Sequence, residues 1–256
     1  MNIDPLGDAQ IVDAWGRNAA PWTAAVRKRQ IESRRLVTDQ AIIDATLNCS
    51  PRSVLDLGCG EGWLARALAA RGIAVIGIDA IPALIEQARQ AGGGDFRVLS
   101  YEDIAAGQLD ASADAVVCNF ALLGHQSVAG LFSALRSLLN PRGSLLIQTL
   151  HPLAACGDQP YRDGWREGSW AGLSADFSDP ARWYFRTMES WIGLFPQHGL
   201  RLLELREPLH PQTQKPASVI FIAQAADRRP DRRHGSRRRP PGSPGCHRSV
   251  DWRMPV

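Results

Sequence analysis

The sequence has few cysteines, and their spacing supports neither a disulfide framework nor a zinc site. The five cysteines are odd in number and widely separated, and none belongs to a Cys-x-x-Cys pair. This usage favours a reducing compartment and no resident metal ion. No apolar run approaches the roughly 18 residues of a membrane span, and the first ten residues lack a signal-peptide pattern. We therefore expect a soluble, cytoplasmic protein with no membrane partner.

An excess of charge of one sign is absent from most of the chain. The formal net charge is +3, but residues 227–256 contribute +6 from nine arginines and three aspartates, which leaves −3 for residues 1–226. The body is therefore mildly acidic and has no general attraction for nucleic acid. The last segment is nearly free of apolar residues, so we predict a disordered basic tail over 227–256. A dispensable extension is the preferred interpretation of this tail, and a basic arm for nucleic acid is the alternative.

Short apolar segments alternate with helical segments through the middle of the chain. Strands are expected at 53–57, 74–78, 96–99, 113–119 and 144–150, and helices at 62–71, 82–90 and 128–139. This alternation predicts right-handed βαβ units. The expected fold class is therefore α/β, with a doubly wound, mostly parallel sheet covered by helices on both faces.

The regions that flank this alternation differ from it in composition. Residues 9–47 have helical periodicity, with a break expected at Pro21. Strands at 200–207 and 218–224 are separated by a proline-containing loop, which predicts a hairpin. The expected segments are an N-terminal helical cap (1–48), the main α/β domain (49–226) with an aromatic-rich cap insertion (151–192), and the tail.

The most informative motif joins the first expected strand to the first helix. It reads VLDLGCGEGW, and the second strand ends in GIDA. Ligands of open parallel sheets bind beyond the carboxyl ends of the strands, which is where this loop lies. Glycines at 58, 60 and 62 allow a tight turn and close approach of a ligand to the backbone. Asp79, at the end of the second strand, can accept both hydroxyls of a ribose.

Asp56 indicates the charge of the expected ligand. It lies two positions before Gly58, where a dinucleotide would bring an anionic pyrophosphate that a carboxylate repels. S-adenosylmethionine (SAM) carries no phosphate and presents an ammonium and a sulfonium, both cationic. The acid therefore favours SAM over NAD(P) or flavin as cofactor. A glycine loop that only packs helix against strand is the structural alternative.

The segment VLDLGCGEGWLARALAARGIAVIGIDA resembles the first two motifs of class I SAM-dependent methyltransferases. Within them it is most similar to the small-molecule group that includes the ubiquinone-biosynthesis O-methyltransferases. The resemblance covers about residues 50–150 strongly and 10–224 in outline. It implies a seven-stranded sheet whose last strand is antiparallel, which agrees with the expected hairpin.

The resemblance also implies roles for individual residues. Gly58, Cys59 and Gly60 would run along the methionine moiety, with Asp56 near its ammonium and Asp79 on the ribose. Further cofactor-binding positions would be Ala80 or Ile81 against the adenine, Glu102 in the stretch 100–103, Asn119 after the fourth strand, and Arg34 or Arg35 at the SAM carboxylate. Many relatives carry Asp where this chain has Ser100, so a backbone NH or Glu102 would have to supply the adenine contact.

The acceptor site is less clearly marked. His125 follows the fourth strand and His151 the fifth, so both are expected at the carboxyl edge as candidate catalytic bases. A loop histidine with a purely structural hydrogen bond is the alternative for each. Aromatic residues of the insertion and the N-terminal helices predict an apolar acceptor pocket, although most of them must pack the cap. Charged residues between them would equally suit an acidic acceptor.

These patterns favour one activity over several others. We expect methyl transfer from SAM to a small organic acceptor, most simply at oxygen. A non-catalytic SAM-binding module and a methyltransferase acting on protein remain open. An NAD-dependent reductase is disfavoured by Asp56 and by the lack of a Tyr-x-x-x-Lys pair. Nucleic-acid methylation is disfavoured because no prolines follow Asn119, where enzymes acting on bases grip a flipped base.

Overall fold

A computed structural model describes residues 7–226, and its centre is a seven-stranded sheet in the order β3-β2-β1-β4-β5-β9-β8. Its first five strands are parallel, and β9 is antiparallel to both β5 and β8. The predicted doubly wound α/β fold with an antiparallel last strand is therefore confirmed. The strands are β1 Ser53–Leu57, β2 Ala74–Asp79, β3 Asp95–Val98, β4 Ala113–Asn119, β5 Leu139–Thr149, β8 Leu200–Arg206 and β9 Val219–Ala225, with a separate hairpin of β6 Gly164–Arg166 and β7 Trp183–Phe185.

Helices cover both faces of this sheet. The α-helices are α1 Gly7–Arg17, α2 Ala19–Arg27, α3 Asp39–Asn48, α4 Trp63–Ala69, α5 Pro82–Ala91, α6 Tyr101–Ala105, α7 Gln126–Ala134, α8 Pro152–Cys156 and α9 Met188–Gln197. A π-helical turn, Arg34–Thr38, precedes α3, and a 3₁₀ turn, Leu135–Leu138, follows α7. One buried core lies between the sheet and α6, α7 and α9, and the other lies between the sheet and α3, α4 and α5.

The N-terminal helices differ from the prediction at Pro21. This residue lies in the first turn of α2, and the chain breaks at Asn18 instead. A proline in the first turn costs no hydrogen bond, because the first NH groups of a helix have no acceptor within it. Asn18 is buried and bonded to the carbonyl oxygens of Ala14 and Ser178, so side-chain contacts fix the break.

Several elements between the main strands were not predicted. Helix α6 has only five residues, and α9 was missed although its apolar residues Met188, Trp191, Ile192 and Phe195 recur at helical spacing. The β6–β7 hairpin lies within the expected cap insertion. Strand β5 begins five residues earlier than expected, at Leu139. The boundaries assigned to the segments stay predictions, and the predicted tail lies outside the described residues. Within residues 7–226, no helix combines the length and apolarity needed to cross a bilayer.

Candidate functional site

Asp56 lies on β1, the third of the seven strands in the sheet order, one residue from its carboxyl end. Its neighbours in the sheet are Gly77 on β2 and Val117 on β4. The residue is 1% exposed, and its Oδ2 atom is buried without a hydrogen-bond partner. Burial, and secondarily the negative charge of Asp79, raises the pKa of Asp56 to about 7. An unpartnered buried carboxyl group in this position is a site for a cation.

The glycine loop after β1 turns sharply against the end of β2. The NH groups of Gly58 and Cys59 both donate to the carbonyl of Ile78, at 2.7 and 2.9 Å. Gly58 has a φ of +79°, and a Cβ added there would collide with the Cβ of Ala121 and lie 2.9 Å from the Tyr101 hydroxyl. Only glycine fits this position. The loop therefore brings bare backbone to the carboxyl edge of the sheet.

Asp79 closes the other side of this loop. Its Oδ2 accepts the NH of Gly60 at 2.8 Å, and its Oδ1 accepts the NH of Ile81 at 2.9 Å. Burial raises the pKa of Asp79, while these backbone hydrogen bonds oppose the rise. Each carboxylate oxygen has a second lone pair, so the side chain can hold the loop and still accept a ligand hydroxyl.

Tyr101 is a site residue that sequence reasoning missed. Its hydroxyl lies beside Gly58 and approaches the carbonyl of Ala121 at 3.4 Å. Burial raises the pKa of Tyr101, and the charges of Asp79 and Asp56 add to the rise. The signal was the spacing of Ser100 and Asp103, which form a capping box at the start of α6 and so make Tyr101 the first helical residue.

Glu102 is the predicted adenine contact, and this assignment stays a prediction. It is exposed in the first turn of α6, directly after Tyr101. Ala80 is partly buried directly after Asp79, at the carboxyl end of β2. Asn119 ends β4, and its side-chain oxygen accepts a hydrogen bond from Gln148 at 2.7 Å.

Arg34, rather than Arg35, faces the glycine loop. Its guanidinium lies over the rings of Trp22 and Trp63, at 5.7 and 4.7 Å, and its Nε donates to Asp39. Its Nη2 is buried without a hydrogen-bond partner. A Cβ added at Gly60 would lie 3.6 Å from Nε1 of the same Trp22. Arg35 is exposed and lines an outer cavity whose lining also includes Asp39, Glu61 and Trp63.

The π-helical turn that carries Arg34 is held to the sheet by a buried glutamine. Gln148 on β5 is 1% exposed, and its amide nitrogen donates to the carbonyl of Thr38 at 3.0 Å. The same amide nitrogen donates to Asn119, so one side chain ties the turn to β4 and β5. π-helical turns are rare and occur frequently at functional sites. The arrangement fixes where the Arg34 guanidinium lies.

Glu61, within the glycine loop, attaches α2 to the main domain. Its side chain is fully buried and pairs with Arg27 at 3.0 Å and with Arg66 at 2.6 Å. Both oxygens are therefore neutralised, in contrast to Asp56. This pairing gives Glu61 a structural role that sequence reasoning did not identify.

The loop after β4 connects the glycine loop to the aromatic insertion. Phe120 has a φ of +53°, an unfavourable conformation for a bulky residue, and such strain is common beside binding sites. Ala121 packs on Gly58, and two residues later the carbonyl of Leu123 accepts the NH of Tyr184 on β7 at 2.7 Å. This short loop therefore contacts both the glycine loop and the aromatic insertion.

His125 lies at the end of this loop against the insertion. Its ring stacks on Tyr184 at 4.1 Å, and its NH donates to Asp8 of α1. Burial, followed by the charge of Arg186, lowers the pKa of His125, so its imidazole is neutral at pH 7.

His151 follows β5 and faces the end of β8. The residue is 3% exposed, and its Nε2 lies 2.7 Å from Oε1 of Glu207. Its Nδ1 is buried without a hydrogen-bond partner. Nearly half of the Glu207 side chain is exposed, so this pair joins a buried ring nitrogen to solvent. A carboxylate that fixes one nitrogen of an imidazole leaves the other free to act as a base.

The described residues offer complementary charges around the glycine loop. A buried carboxyl without a partner, Asp56, and a buried guanidinium nitrogen without a partner, Arg34 Nη2, would match the ammonium and carboxylate of an amino acid. Asp79 would match a ribose. Within residues 7–226, no group of three or more His, Cys, Asp or Glu side chains is placed to hold a metal ion.

Comparison with known proteins identifies a family. A sequence profile described as a methyltransferase domain matches residues 27–205, more than half of the chain. A ubiquinone biosynthesis O-methyltransferase of Xanthomonas oryzae pv. oryzae is 38% identical over 114 residues, which cover 43% of this chain and 47% of that protein. The chain thus matches about half the length of such curated relatives.

Solved structures share the fold at lower identity. DhpI, solved as a complex with SAH, superposes with a TM-score of 0.61 at 16% identity, over 88% of this chain and all of that one. A SAM-dependent methyltransferase from Mesorhizobium loti gives a TM-score of 0.53 at 21% identity, over 70% of this chain and 95% of that one. These likenesses support the fold and do not by themselves define a substrate.

Proposed function

The chain belongs to the methyltransferase domain family, and on that premise we propose that it transfers a methyl group from SAM to an oxygen of a small organic acceptor. The curated relatives named as O-methyltransferases support the choice of oxygen. The mildly acidic body supports a small molecule over nucleic acid. We place this activity in the cytoplasm.

The observation that carries the proposal is a pair of buried atoms without hydrogen-bond partners on oppositely charged side chains, although Arg34 also forms an ion pair with Asp39 through its Nε. Asp56 Oδ2 and Arg34 Nη2 are both buried and both lack a hydrogen-bond partner. A buried charged group without a partner is costly, so a ligand that supplies both complements would bind with a large gain. The methionine end of SAM carries one ammonium and one carboxylate, which match this pair. A dinucleotide would bring an anion toward Asp56.

The remaining cofactor contacts follow from the same loop. Asp79 would accept the ribose hydroxyls with the lone pairs that its backbone hydrogen bonds leave free. Gly58, Cys59 and Gly60 would run along the methionine chain, and Ala80 would pack against the adenine. When bound, SAM supplies a methyl carbon activated by its sulfonium.

The protein then has to orient the acceptor and remove its proton. We assign proton removal to Nδ1 of His151, because this atom is buried without a partner while Nε2 is held by Glu207. The proton taken up at Nδ1 makes an imidazolium that the Glu207 carboxylate stabilises. The pair with Glu207 holds the imidazolium until the Nδ1 proton leaves with the product or to solvent, which restores the Nε2–H tautomer with Nδ1 free for the next cycle.

His125 is the second candidate base, and its contacts favour a different role. Its ring is stacked on Tyr184 and its backbone is fixed by Asp8. The nearby Arg186 charge lowers the pKa of His125 and makes it a weaker proton acceptor. We propose that it shapes the acceptor pocket.

Calorimetry on the full chain tests the cofactor assignment. We expect SAM and SAH to bind, and NADH not to bind. Arg34→Gln should weaken SAH binding about tenfold, since it removes a charge-assisted hydrogen bond, and Arg35→Gln is the matched control that should change nothing. Methylthioadenosine lacks the amino-acid end, so its affinity should be the same in both variants and the wild type. NADH binding without SAM binding would overturn the proposal.

A further inference from the structure

Arg186 is a buried cation at the acceptor side of the molecule. It follows β7 and is 5% exposed. Its guanidinium lies over the ring of Tyr184 at 4.9 Å and over the ring of Trp191 at 5.2 Å. Burial lowers the pKa of Arg186 to about 10, so the group remains charged at neutral pH.

This cation has no counter-ion among the described residues. Its Nη2 donates to the carbonyl of His125 at 3.2 Å, while its Nη1 is buried without a hydrogen-bond partner. The two carboxylates whose charges act on it form no ion pair with it. Asp8 accepts the NH groups of His125 and Ser127, and Asp163 accepts the NH of Thr187. Burial of a guanidinium with an unused hydrogen-bond donor destabilises the fold unless a ligand supplies an acceptor.

Arg186 lies within a short stretch of chain from the glycine loop. His125, which binds its Nη2, is four residues after Ala121, and Ala121 packs on Gly58. Four residues of extended chain span at most about 14 Å. A molecule of one or two rings held at Arg186 can therefore reach toward the glycine loop.

We infer that Arg186 binds a carboxylate of the methyl acceptor, so that the acceptor is an aromatic carboxylic acid. This inference rests on the proposed methyl transfer and names its substrate class. A guanidinium edge with a free Nη1 matches a carboxylate oxygen, and the rings of Tyr184, His125 and Trp191 surround it with apolar faces. A dianion such as phosphate fits less well, because the negative charges of Asp8 and Asp163 act on Arg186.

Two probes that differ only in the charged group test this inference. They are 4-hydroxybenzoate and 4-hydroxybenzamide, and their binding to the full chain saturated with SAH is measured by calorimetry. We expect the acid to bind at least tenfold more tightly than the amide. Equal affinities, or no binding of either probe, would overturn the inference.

Variants of Arg186 distinguish ligand binding from a structural role. Arg186→Gln should remove the preference for the acid, and Arg186→Lys should retain part of it. Arg166→Gln is the matched control, because Arg166 also lies over a ring of the insertion, Phe185 at 4.9 Å, and also has one buried nitrogen, Nε, without a partner. Unlike Nη1 of Arg186, both of its Nη atoms donate hydrogen bonds, to Gln159 and Pro160. If Arg186→Gln does not fold, the comparison of the two probes on the wild type and on Arg186→Lys still tests whether Arg186 binds the carboxylate.

SAH affinity separates this inference from the proposed function. A protein that binds SAH but shows no preference for the acid refutes only the acidic acceptor. A protein that binds neither SAM nor SAH refutes the methyltransferase reaction itself. Retention of the preference for the acid in Arg186→Gln would show that another residue binds the carboxylate.

Discussion

The residues assigned to the cofactor, around Asp56 and Asp79 (the cofactor half), and those assigned to the acceptor, around His125, His151 and Arg186 (the acceptor half), are built in different ways. The cofactor half consists of consecutive loops at the ends of β1 and β2, where Asp56 and Asp79 are 23 residues apart and bracket one glycine turn. The acceptor half combines residues from distant segments, since Asp8 of α1 contacts His125 and His151 contacts Glu207. Local sequence therefore specifies the first half, and tertiary packing specifies the second.

The two halves also differ in how they treat buried charge. Glu61, in the cofactor half, is neutralised by two arginines, whereas Asp56 beside it has none. In the acceptor half, Arg186 lacks a counter-ion and His151 has one free nitrogen. We assign ligand contacts to Asp56, Arg34, His151 and Arg186, each of which has a buried polar atom without a hydrogen-bond partner. Arg166 Nε and Thr38 Oγ1 also lack a partner and have no assigned ligand contact.

The largest effect is expected from Asp79→Ala. The substitution removes the ribose acceptor and leaves the NH groups of Gly60 and Ile81 without partners. Loss of two charge-assisted hydrogen bonds predicts on the order of a thousandfold weaker SAM binding, measured by calorimetry. Asp95→Ala, on the exposed start of β3, is the matched control and should bind normally. Retained SAM affinity in Asp79→Ala would refute the ribose assignment.

The cofactor half was the more predictable one for a physical reason. Asp56, Gly58 and Asp79 are fixed by strand ends and a turn, so their spacing in sequence defines their geometry. Within α6 the sequence does not show which side chain faces the loop, since the residue next to Glu102 carries its side chain about 100° further round the helix. The adjacent Tyr101 therefore faces the loop, and Glu102 faces solvent.

His151→Ala tests whether the acceptor half contains a base. We expect kcat to fall about a hundredfold, since a positioned base typically contributes at least that much. Glu207→Gln should lower kcat about tenfold, because the imidazolium loses its stabilising charge. His125→Ala is the comparison, and its main effect should be on KM. An unchanged kcat in His151→Ala, measured with any accepted substrate, would show that His151 is structural.

The acceptor half could not be arranged from sequence, although its residues were partly named. His125 and His151 were expected at the carboxyl edge because they follow β4 and β5. Their partners, Tyr184 and Glu207, are 59 and 56 residues away along the chain. No periodicity links such positions, and Arg186 was only one of several charged residues in the insertion. Contacts of this range become visible only in three dimensions.

Asp56→Asn should separate stability from binding within the cofactor half. The folded state raises the pKa of Asp56 from 3.8 to about 7, so it binds a proton more tightly than the unfolded chain. The wild type should therefore lose stability as pH rises from about 4 to 7, with up to ~4 kcal/mol at stake. The variant does not lose this stability, but its buried amide has no hydrogen-bond partner, which costs about 2 kcal/mol. Its net advantage over the wild type at pH 8 should therefore be about 2 kcal/mol.

Urea unfolding of both proteins at pH 5 and pH 8 measures this difference. The advantage of Asp56→Asn should be larger at pH 8, where the wild-type carboxyl is ionised. Calorimetry at pH 8 should show much weaker SAH binding by the variant, since the ammonium loses its partner. A variant no more stable than the wild type at pH 8 would mean that Asp56 already has a cation near it.

The smallest effect is expected from removing the predicted tail after Ala226. Every contact assigned to either half joins residues between Asp8 and Glu207, and strand β9, which completes the sheet, ends at Ala225. The truncated chain should therefore keep its SAH affinity, its turnover and its melting temperature within error. The nine arginines removed would matter only through long-range attraction for an anionic ligand, which salt screens. If the truncated chain binds the acid more weakly than the full chain at low salt but equally well at high salt, the tail attracts the acceptor through its charge. The acceptor half would then include residues after Ala226.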